Sequence, residues 1–291
     1  MEKMLGLIGF GEAGRTFATA GGWASARVHD RLTDSADSRD AKRAEYSAAG
    51  IAGCDSLADA VKGSSIILSL VTADQALAVA RAVAVTIAPG TLYCDMNSVA
   101  PDTKRAAARL IDAAGGHYVD VAVMAPVDPA RLAVPLLVSG AHADAAKDAL
   151  AALGFVKISI VGDEIGRASS IKMIRSVMVK GIEALTAECA LAAQAAGVSA
   201  EVLASLDASD KPKPWAERAD YNLDRMMIHG LRRAAEMEEV VKTLDALGTG
   251  SAMTRGTVER QHAIGVLGLK RPGQGLSAKI AQINPNRMQA A

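Results

Sequence analysis

The stretch Leu5-Gly6-Leu7-Ile8-Gly9-Phe10-Gly11-Glu12-Ala13-Gly14 decides how the N-terminal half of the chain is read. A short apolar run ends at Ile8. Three glycines follow in the pattern Gly-x-Gly-x-x-Gly, and helix-forming sequence continues to Gly21. The spacing alone is common. Placed directly after a strand and opening a helix, it predicts a turn that cradles the pyrophosphate of a dinucleotide. Gly9 permits the tight turn, Gly11 lets the backbone approach the pyrophosphate, and Gly14 lets the helix pack closely on its strand. The unpaired N–H groups at the helix start favour the phosphates. Phe10, Glu12 and Ala13 complete this cofactor-binding turn.

The next apolar run, Arg27–Asp30, ends in an acidic residue 21 positions after Gly9. A carboxylate at that spacing accepts from the adenosine ribose hydroxyls and repels a 2′-phosphate. Asp30 therefore favours NAD. Arg31 beside it leaves NADP open, since it can stack on adenine or turn toward a 2′-phosphate.

Outward from this turn, apolar runs recur at 4–8, 27–30, 65–70, 91–95, 117–123, 135–139 and 157–161. Most are apolar at consecutive positions, as strands buried on both faces of a parallel sheet are. Helical patterns separate them at 12–21, 57–61, 73–85, 101–114 and 143–153. The alternation predicts a doubly wound α/β domain. Beyond Gly166 no strand pattern remains. Residues 168–196 read as one helix, roughly 43 Å long at about 1.5 Å per residue, with Gly197 as its stop. Further helices are expected at 200–206, in pieces over 218–247, and at 251–266, while 270–275 reads as a loop. The fold class is thus a Rossmann-type α/β domain over 1–162, followed by an all-α domain over 163–291.

The bulk composition narrows the function classes. The 291 residues carry 32 Lys and Arg against 32 Asp and Glu, so there is no basic excess to neutralise a nucleic-acid backbone. No run of 18 apolar residues is present to span a bilayer. The first residues lead straight into a strand pattern without the shape of a signal peptide. Cys54, Cys94 and Cys189 are far apart, odd in number and without metal spacing, and read as ordinary buried thiols of a cytoplasmic protein. His29, His117, His142 and His262 show no ligand spacing, and no metal site is expected. The partner to expect is a small molecule.

With these residues in view, the chain resembles the β-hydroxyacid dehydrogenase family, which includes 6-phosphogluconate and 3-hydroxyisobutyrate dehydrogenases. It is most similar to a branch with an uncharacterised helical C-terminal domain. Residues 6–14 match the family's opening. Leu70-Val71-Thr72 stands where the family wraps the nicotinamide side of the cofactor. Asp95-Met96-Asn97-Ser98-Val99-Ala100-Pro101 resembles the family's Asp-x-Ser-Thr-x-x-Pro segment. Gly166-Arg167-Ala168-Ser169-Ser170-Ile171-Lys172 resembles the Gly-x-Gly-x-x-x-Lys that carries its catalytic lysine. There are departures. The family's Asp-x-Pro-Val-Ser-Gly-Gly, which grips a substrate carboxylate, is here Asp120-Val121-Ala122-Val123-Met124-Ala125-Pro126. The family's Asn four residues after the lysine is here Ser176.

The resemblance implies that Lys172 is the general acid/base of an NAD(P)-dependent dehydrogenase acting on a secondary alcohol or hydroxy acid. Ser98 is a substrate or nicotinamide contact, or else a helix cap before Pro101. Asn97 bonds the carboxamide or holds the turn. Arg175 and Ser176 share a helix face with Lys172. Arg175 is a substrate contact or lowers the lysine's pKa, and Ser176 bonds the reacting hydroxyl or orients the ammonium. Met124 marks the altered substrate turn. In the segment Met226–Arg233, His229, Arg232 or Arg233 is a candidate replacement for the lost grip, with a solvated helix face as the plain reading. Trp215 and Tyr221 fall in a proline-rich linker, as pocket walls or packing anchors. Family members commonly dimerise through the helical domain, so a homodimer is expected. Two rivals stand beside this reading. One is an imine-reductase-like enzyme, a class that usually replaces the lysine. The other is a dinucleotide-binding regulatory protein without turnover.

Overall fold

The computed structural model describes residues 4–209 and 212–283. They form two compact units that divide between Val177 and Met178.

The first unit holds an eight-stranded sheet: β1 (Leu5–Ile8), β2 (Arg27–His29), β3 (Ala52–Gly53), β4 (Ile66–Ser69), β5 (Leu92–Asp95), β6 (His117–Val123), β7 (Leu136–Ser139) and β8 (Ile158–Gly162). Its helices are α1 (Glu12–Gly21), α2 (Ala36–Ala48), α3 (Leu57–Val61), α4 (Ala76–Ala84), α5 (Pro101–Ala113) and α6 (Ala143–Ala152). Strand order is β3-β2-β1-β4-β5-β6-β7-β8. The chain winds outward from β1 to β3 and then returns to β4 on the other side of β1. That reversal opens a crevice at the carboxyl ends of β1 and β4, where open α/β sheets bind ligands.

Both faces of the sheet are covered, which explains the continuous apolar runs. Leu5, Leu7, Ile66, Leu68, Val119 and Val121 pack on one side with Phe17 of α1, Tyr46 of α2 and Leu150 of α6. Ile8, Ile67, Tyr93 and Tyr118 pack on the other with Ala80 and Val83 of α4 and Ala107 and Ile111 of α5. Each large side chain fully buried in this way contributes roughly 1.5–3 kcal/mol.

The doubly wound Rossmann-type fold stands, with one change of strand direction. β6 and β7 pair antiparallel, while the other neighbours pair parallel. The link from β6 to β7 contains only the 3-10 turn Arg131–Ala133. A parallel crossover usually carries a helix back across the sheet, and this link has none, so the chain doubles back. Two elements left no pattern in the sequence. Helix α2 carries six charged residues in thirteen and buries only Lys42 and Tyr46, and β3 is two exposed residues.

Helix α7 (Arg167–Ala195) begins in the first unit and ends in the second. The division between the two compact units therefore falls inside α7. Its first turn is anchored in the sheet: Gly166 and Ser169 donate backbone N–H groups to Asp120 of β6, and Ala168 donates to Ser139 Oγ of β7.

The second unit is helical, with α8 (Ser199–Ser209), α9 (Trp215–Leu247), α10 (Ala252–Gly265) and α11 (Leu276–Ile283) after the end of α7. α9 is one continuous helix rather than pieces, because Gly230 within it is a contact point and not a break. A Cβ at Gly230 would stand 2.5 Å from Gln261 O and 2.8 Å from Gly265 Cα, so α9 and α10 meet glycine on glycine. Glu188 of α7 accepts from Met253 N, Thr254 N and Thr254 Oγ1 at 2.9, 2.9 and 2.6 Å. It thereby satisfies the open start of α10. Lys279 ties α11 to α9 through Asp220 and Asp224 at 2.9 and 3.2 Å. Trp215 and Tyr221 lie on α9 rather than in a linker. They are exposed, with Arg218 over Trp215 and Lys213 over Tyr221. The cysteines are free. Cys94 is buried, Cys54 half-buried and Cys189 exposed, so the buried-thiol reading fails at Cys189, on the outer side of α7.

Candidate active site

The glycine turn has the geometry its three roles require. Gly9 takes φ +90°, and a Cβ there would lie 2.3 Å from Leu70 O. A Cβ at Gly14 would lie 2.4 Å from Gly9 O, so helix α1 can approach the turn only without one. At Gly11 the space is open for 4 Å around the Cβ position, which is where a phosphate would come against backbone. Asp30 closes the turn from β2. Its Oδ2 accepts from Phe10 N at 2.7 Å and its Oδ1 from Leu32 N at 3.0 Å. Each oxygen takes one backbone donor and keeps a lone pair. The Phe10 ring points away from the crevice and packs edge-on against Tyr46, 5.1 Å between centroids. A cavity of about 500 Å³ is lined by Gly9, Gly11, Asp30, Arg31 and Lys42, with Leu70, Val71 and Thr72 on its other wall. The donors, the open glycine and the carboxylate fit a dinucleotide.

Leu70, Val71 and Thr72 also line a second cavity, of about 480 Å³, with Glu12, Ala13, Asn97, Ser98, Pro126 and Lys172. Lys172 Nζ donates to Ser98 Oγ at 2.5 Å. The sequence separates these residues by 74 positions, and the fold joins them across the carboxyl ends of the strands. Asn97 is a framework residue. Its Oδ1 accepts from Val71 N at 2.6 Å and its Nδ2 donates to Ser69 Oγ at 3.0 Å, which ties the β4 and β5 loops together. Ser176 Oγ donates to Lys172 O at 3.0 Å, a bond within α7. Arg175 Nη1 donates to Met124 O at 3.3 Å, which fixes the altered turn through its backbone.

Beneath this pair lies a buried charge network. Asp95 and Asp120 are register partners on β5 and β6, and Ser69 and Ser139 extend the row onto β4 and β7. All four are fully buried. Two carboxylates side by side on neighbouring strands repel. Lys104 of α5, also fully buried, stands between them, 3.0 Å from Asp95 Oδ1 and 3.3 Å from Asp120 Oδ1. Tyr118 donates its hydroxyl to Asp95 Oδ2 at 2.7 Å. Burial, and next the Asp95 charge, hold that phenol well above its ordinary range, so it remains a donor.

Comparison with known proteins sets this geometry in a family. Residues 4–162 match the family described as the NAD binding domain of 6-phosphogluconate dehydrogenase, and residues 193–264 match a domain of unknown function, DUF1932. The chain belongs to the 6-phosphogluconate dehydrogenase-type NAD-binding family. Membership makes it an NAD(P)-dependent oxidoreductase in type. Among solved structures it is similar to a conserved hypothetical protein from Sinorhizobium meliloti 1021, at 34% identity and TM-score 0.61 over 98% of this chain and 97% of that one. It is also similar to a conserved protein of unknown function, MTH1747, itself described as structurally similar to 3-hydroxyacid dehydrogenases. There the identity is 26% and the TM-score 0.57, over 99% of each chain. An imine reductase variant from Myxococcus stipitatus, in complex with NAD+, shares the fold at 19% identity and TM-score 0.70, over 97% of this chain and 99% of that one.

Within this 6-phosphogluconate dehydrogenase-type unit, the structure brings together Gly9, Gly11, Asp30, Arg31 and Leu70–Thr72 at one cavity. It brings Glu12, Ala13, Ser98 and Lys172 to the other. His229 lies on α9 in the second unit, as do Arg232, which pairs with Glu236 one turn on, and Arg233. The Lys104 network went unread in the sequence. Its signal was present: Asp95 and Asp120 end or interrupt otherwise apolar strands, and Lys104 falls on the same helical stripe as Ala107, Ala108 and Ile111. Among the described residues no group of three or more His, Cys, Asp or Glu is placed to hold a metal ion, and no helix is long and apolar enough to cross a membrane.

Proposed function

We propose that this protein is a dehydrogenase of the β-hydroxyacid type, acting on a secondary alcohol or hydroxy acid with Lys172 as general acid/base. The observation that carries the reading is the 2.5 Å bond from Lys172 Nζ to Ser98 Oγ on the wall of a cavity bordered by the cofactor loop Leu70–Thr72. The turn Gly9–Gly14 would hold the pyrophosphate, Asp30 the adenosine ribose, and Leu70–Thr72 the nicotinamide side. When bound, the dinucleotide supplies the hydride exchange. The chain's own work is on the proton. In oxidation, Lys172 as a neutral amine takes the proton of the substrate hydroxyl. In reduction, its ammonium returns a proton to the carbonyl oxygen. Ser98 accepts from the lysine and has its own O–H to offer the same substrate oxygen. The lone pairs left on Asp30 suit ribose hydroxyls and oppose a 2′-phosphate, which supports NAD over NADP. Residues 163–291 act as the substrate and dimerisation domain of a cytoplasmic homodimer, with Met124 and Arg175 toward the substrate and Ser176 orienting the lysine.

Titration of the purified protein with NADH and NADPH, followed by a screen of alcohols and hydroxy acids, tests this reading. Lys172→Ala is expected to lower turnover roughly 10²–10⁴-fold while the dinucleotide Kd stays within about twofold. Undiminished alcohol turnover in that variant would remove Lys172 from the acid/base role. Turnover of cyclic imines alone would point to the imine-reductase reading. Tight NADH binding with no turnover of any class would point to a regulatory protein.

A further inference from the structure

The contact between Ser98 and Lys172 joins two separate arms of the first unit, and each arm is tied to a different buried carboxylate. Asp95 Oδ1 accepts from Asn97 N at 2.9 Å, one residue before Ser98. Asp120 Oδ2 accepts from Gly166 N at 3.1 Å and from Ser169 N and Oγ at 3.0 Å, one helical turn before Lys172. Lys104 Nζ lies between the carboxylates and also donates to Asp95 O at 2.5 Å. We infer that Asp95, Lys104 and Asp120 form a positioning triad that sets the distance between Ser98 and Lys172. The inference rests on the proposed role of that pair.

Three physical points support it. First, a buried ion pair is a poor source of stability, because desolvation offsets most of its attraction. Three fully buried charged side chains call for another account, and a fixed geometry is one. Second, the division of labour is complete. One oxygen of each carboxylate faces Lys104. Asp120 turns its other oxygen to the start of α7, while the Asp95 oxygen nearest Lys104 also receives the Asn97 amide. The three α7 amides held by Asp120 and Ser139 belong to the open end of a helix, where an anion also meets the favourable end of the helix dipole. Third, the tie is short and dry. Asp95 and Asp120 are register partners, so no loop intervenes between the strands that carry them. A shift of either arm would have to stretch a charge-assisted bond in the interior, where such bonds are strongest.

The triad residues touch neither cavity, so their effect must pass through the two arms. The experiment is a ¹³C NMR titration of lysine-labelled full-length protein, with the Lys172 signal assigned by its loss in Lys172→Ala. The main variant is the double substitution Lys104→Met with Asp95→Asn. It removes one charge of each sign, leaves the net charge of the site unchanged, and keeps Asp120 with its donors Gly166 N, Ser169 N and Ser169 Oγ. The expected result is a folded protein with an unaltered NADH Kd and a Lys172 midpoint displaced by about one pH unit or more, with faster Lys172 amine acetylation by acetic anhydride. A Lys172 titration and reactivity identical to wild type would overturn the inference. If the double variant does not fold, Lys104→Met with Asp120→Asn gives the same reading, since it too leaves the net charge of the site unchanged and the amide oxygen can still accept from Gly166 and Ser169. A displaced Lys172 midpoint supports the triad there, and an unmoved one overturns it. The titration needs no substrate. Loss of the acid/base reading through an active Lys172→Ala would leave the coupling measurable, so the two failures are distinguishable.

Discussion

His117 and His142 stack ring on ring, 3.8 Å between centroids and 10° between planes, where β6 begins and α6 starts. Neither the 24 residues between them nor their neighbours signal the contact; it exists because β7 runs back antiparallel along β6 and brings the start of α6 beside the start of β6. Burial, and next the His117 ring, lower the pKa of His142 from its ordinary value near 6.5, against the weaker opposite pull of Asp112. The unfolded chain then binds the proton more readily than the folded one. The stability contributed is present above the unfolded value and is lost as pH falls through the depressed folded one. The melting temperature is expected to fall between about pH 7 and pH 5, and His142→Gln should flatten that slope relative to wild type. Parallel melting curves for the two proteins across that range would reject this account. At the same scale, the turn residues Gly9, Gly11 and Gly14 were legible because each answers a local backbone demand. The carboxylate of Asp30 was legible by its distance along the chain.

Helix α9 shows how an element can be misread from local propensity. A glycine inside a helix costs about 1 kcal/mol against alanine, yet Gly230 lies mid-way along the unbroken α9. In the structure it lets the backbone of α10 approach, and Gly265 answers it from the other side, with a Cβ there only 2.5 Å from Leu231 N. Gly230→Ala is expected to destabilise the second unit by about 1–3 kcal/mol, because the clash is with backbone that cannot move aside. Gly256→Ala, on the same α10 but with nothing within 4 Å of its Cβ position, should stabilise by roughly 0.5–1 kcal/mol. Thermal melting of both variants checks the pair. Equal shifts of the same sign would mean that propensity, not packing, governs these positions.

At the scale of the whole molecule, α7 leaves a long run of apolar side chains uncovered. Ile174 is 71% exposed, Val177 70% and Leu191 59%, and Ile182 and Leu185 also face outward. Exposed apolar side chains in such number along one helix suit an interaction site. A second copy of the chain is the occupant that the proposed homodimer supplies. Light scattering on the eluted protein is expected to give twice the chain mass, and Ile182→Glu with Leu185→Glu to give the single mass. A wild-type protein that elutes at the single mass at micromolar concentration would sink the dimer.

What the sequence determined by itself was the alternation of strand and helix, the dinucleotide turn and the change to an all-helical second half. These follow from short-range demands: burial on both faces of a strand, φ at Gly9, the periodicity of a helix. What only the tertiary structure decided was the reversal at β7, the charge-rich helix α2, the glycine contact of α9 with α10, and the buried row Asp95, Lys104 and Asp120. Composition assigns Asp and Lys to the surface, since an unpaired charge in the core is costly. Only the register of β5 against β6, with α5 laid over them, brings the three together so that the one ammonium stands against both carboxylates.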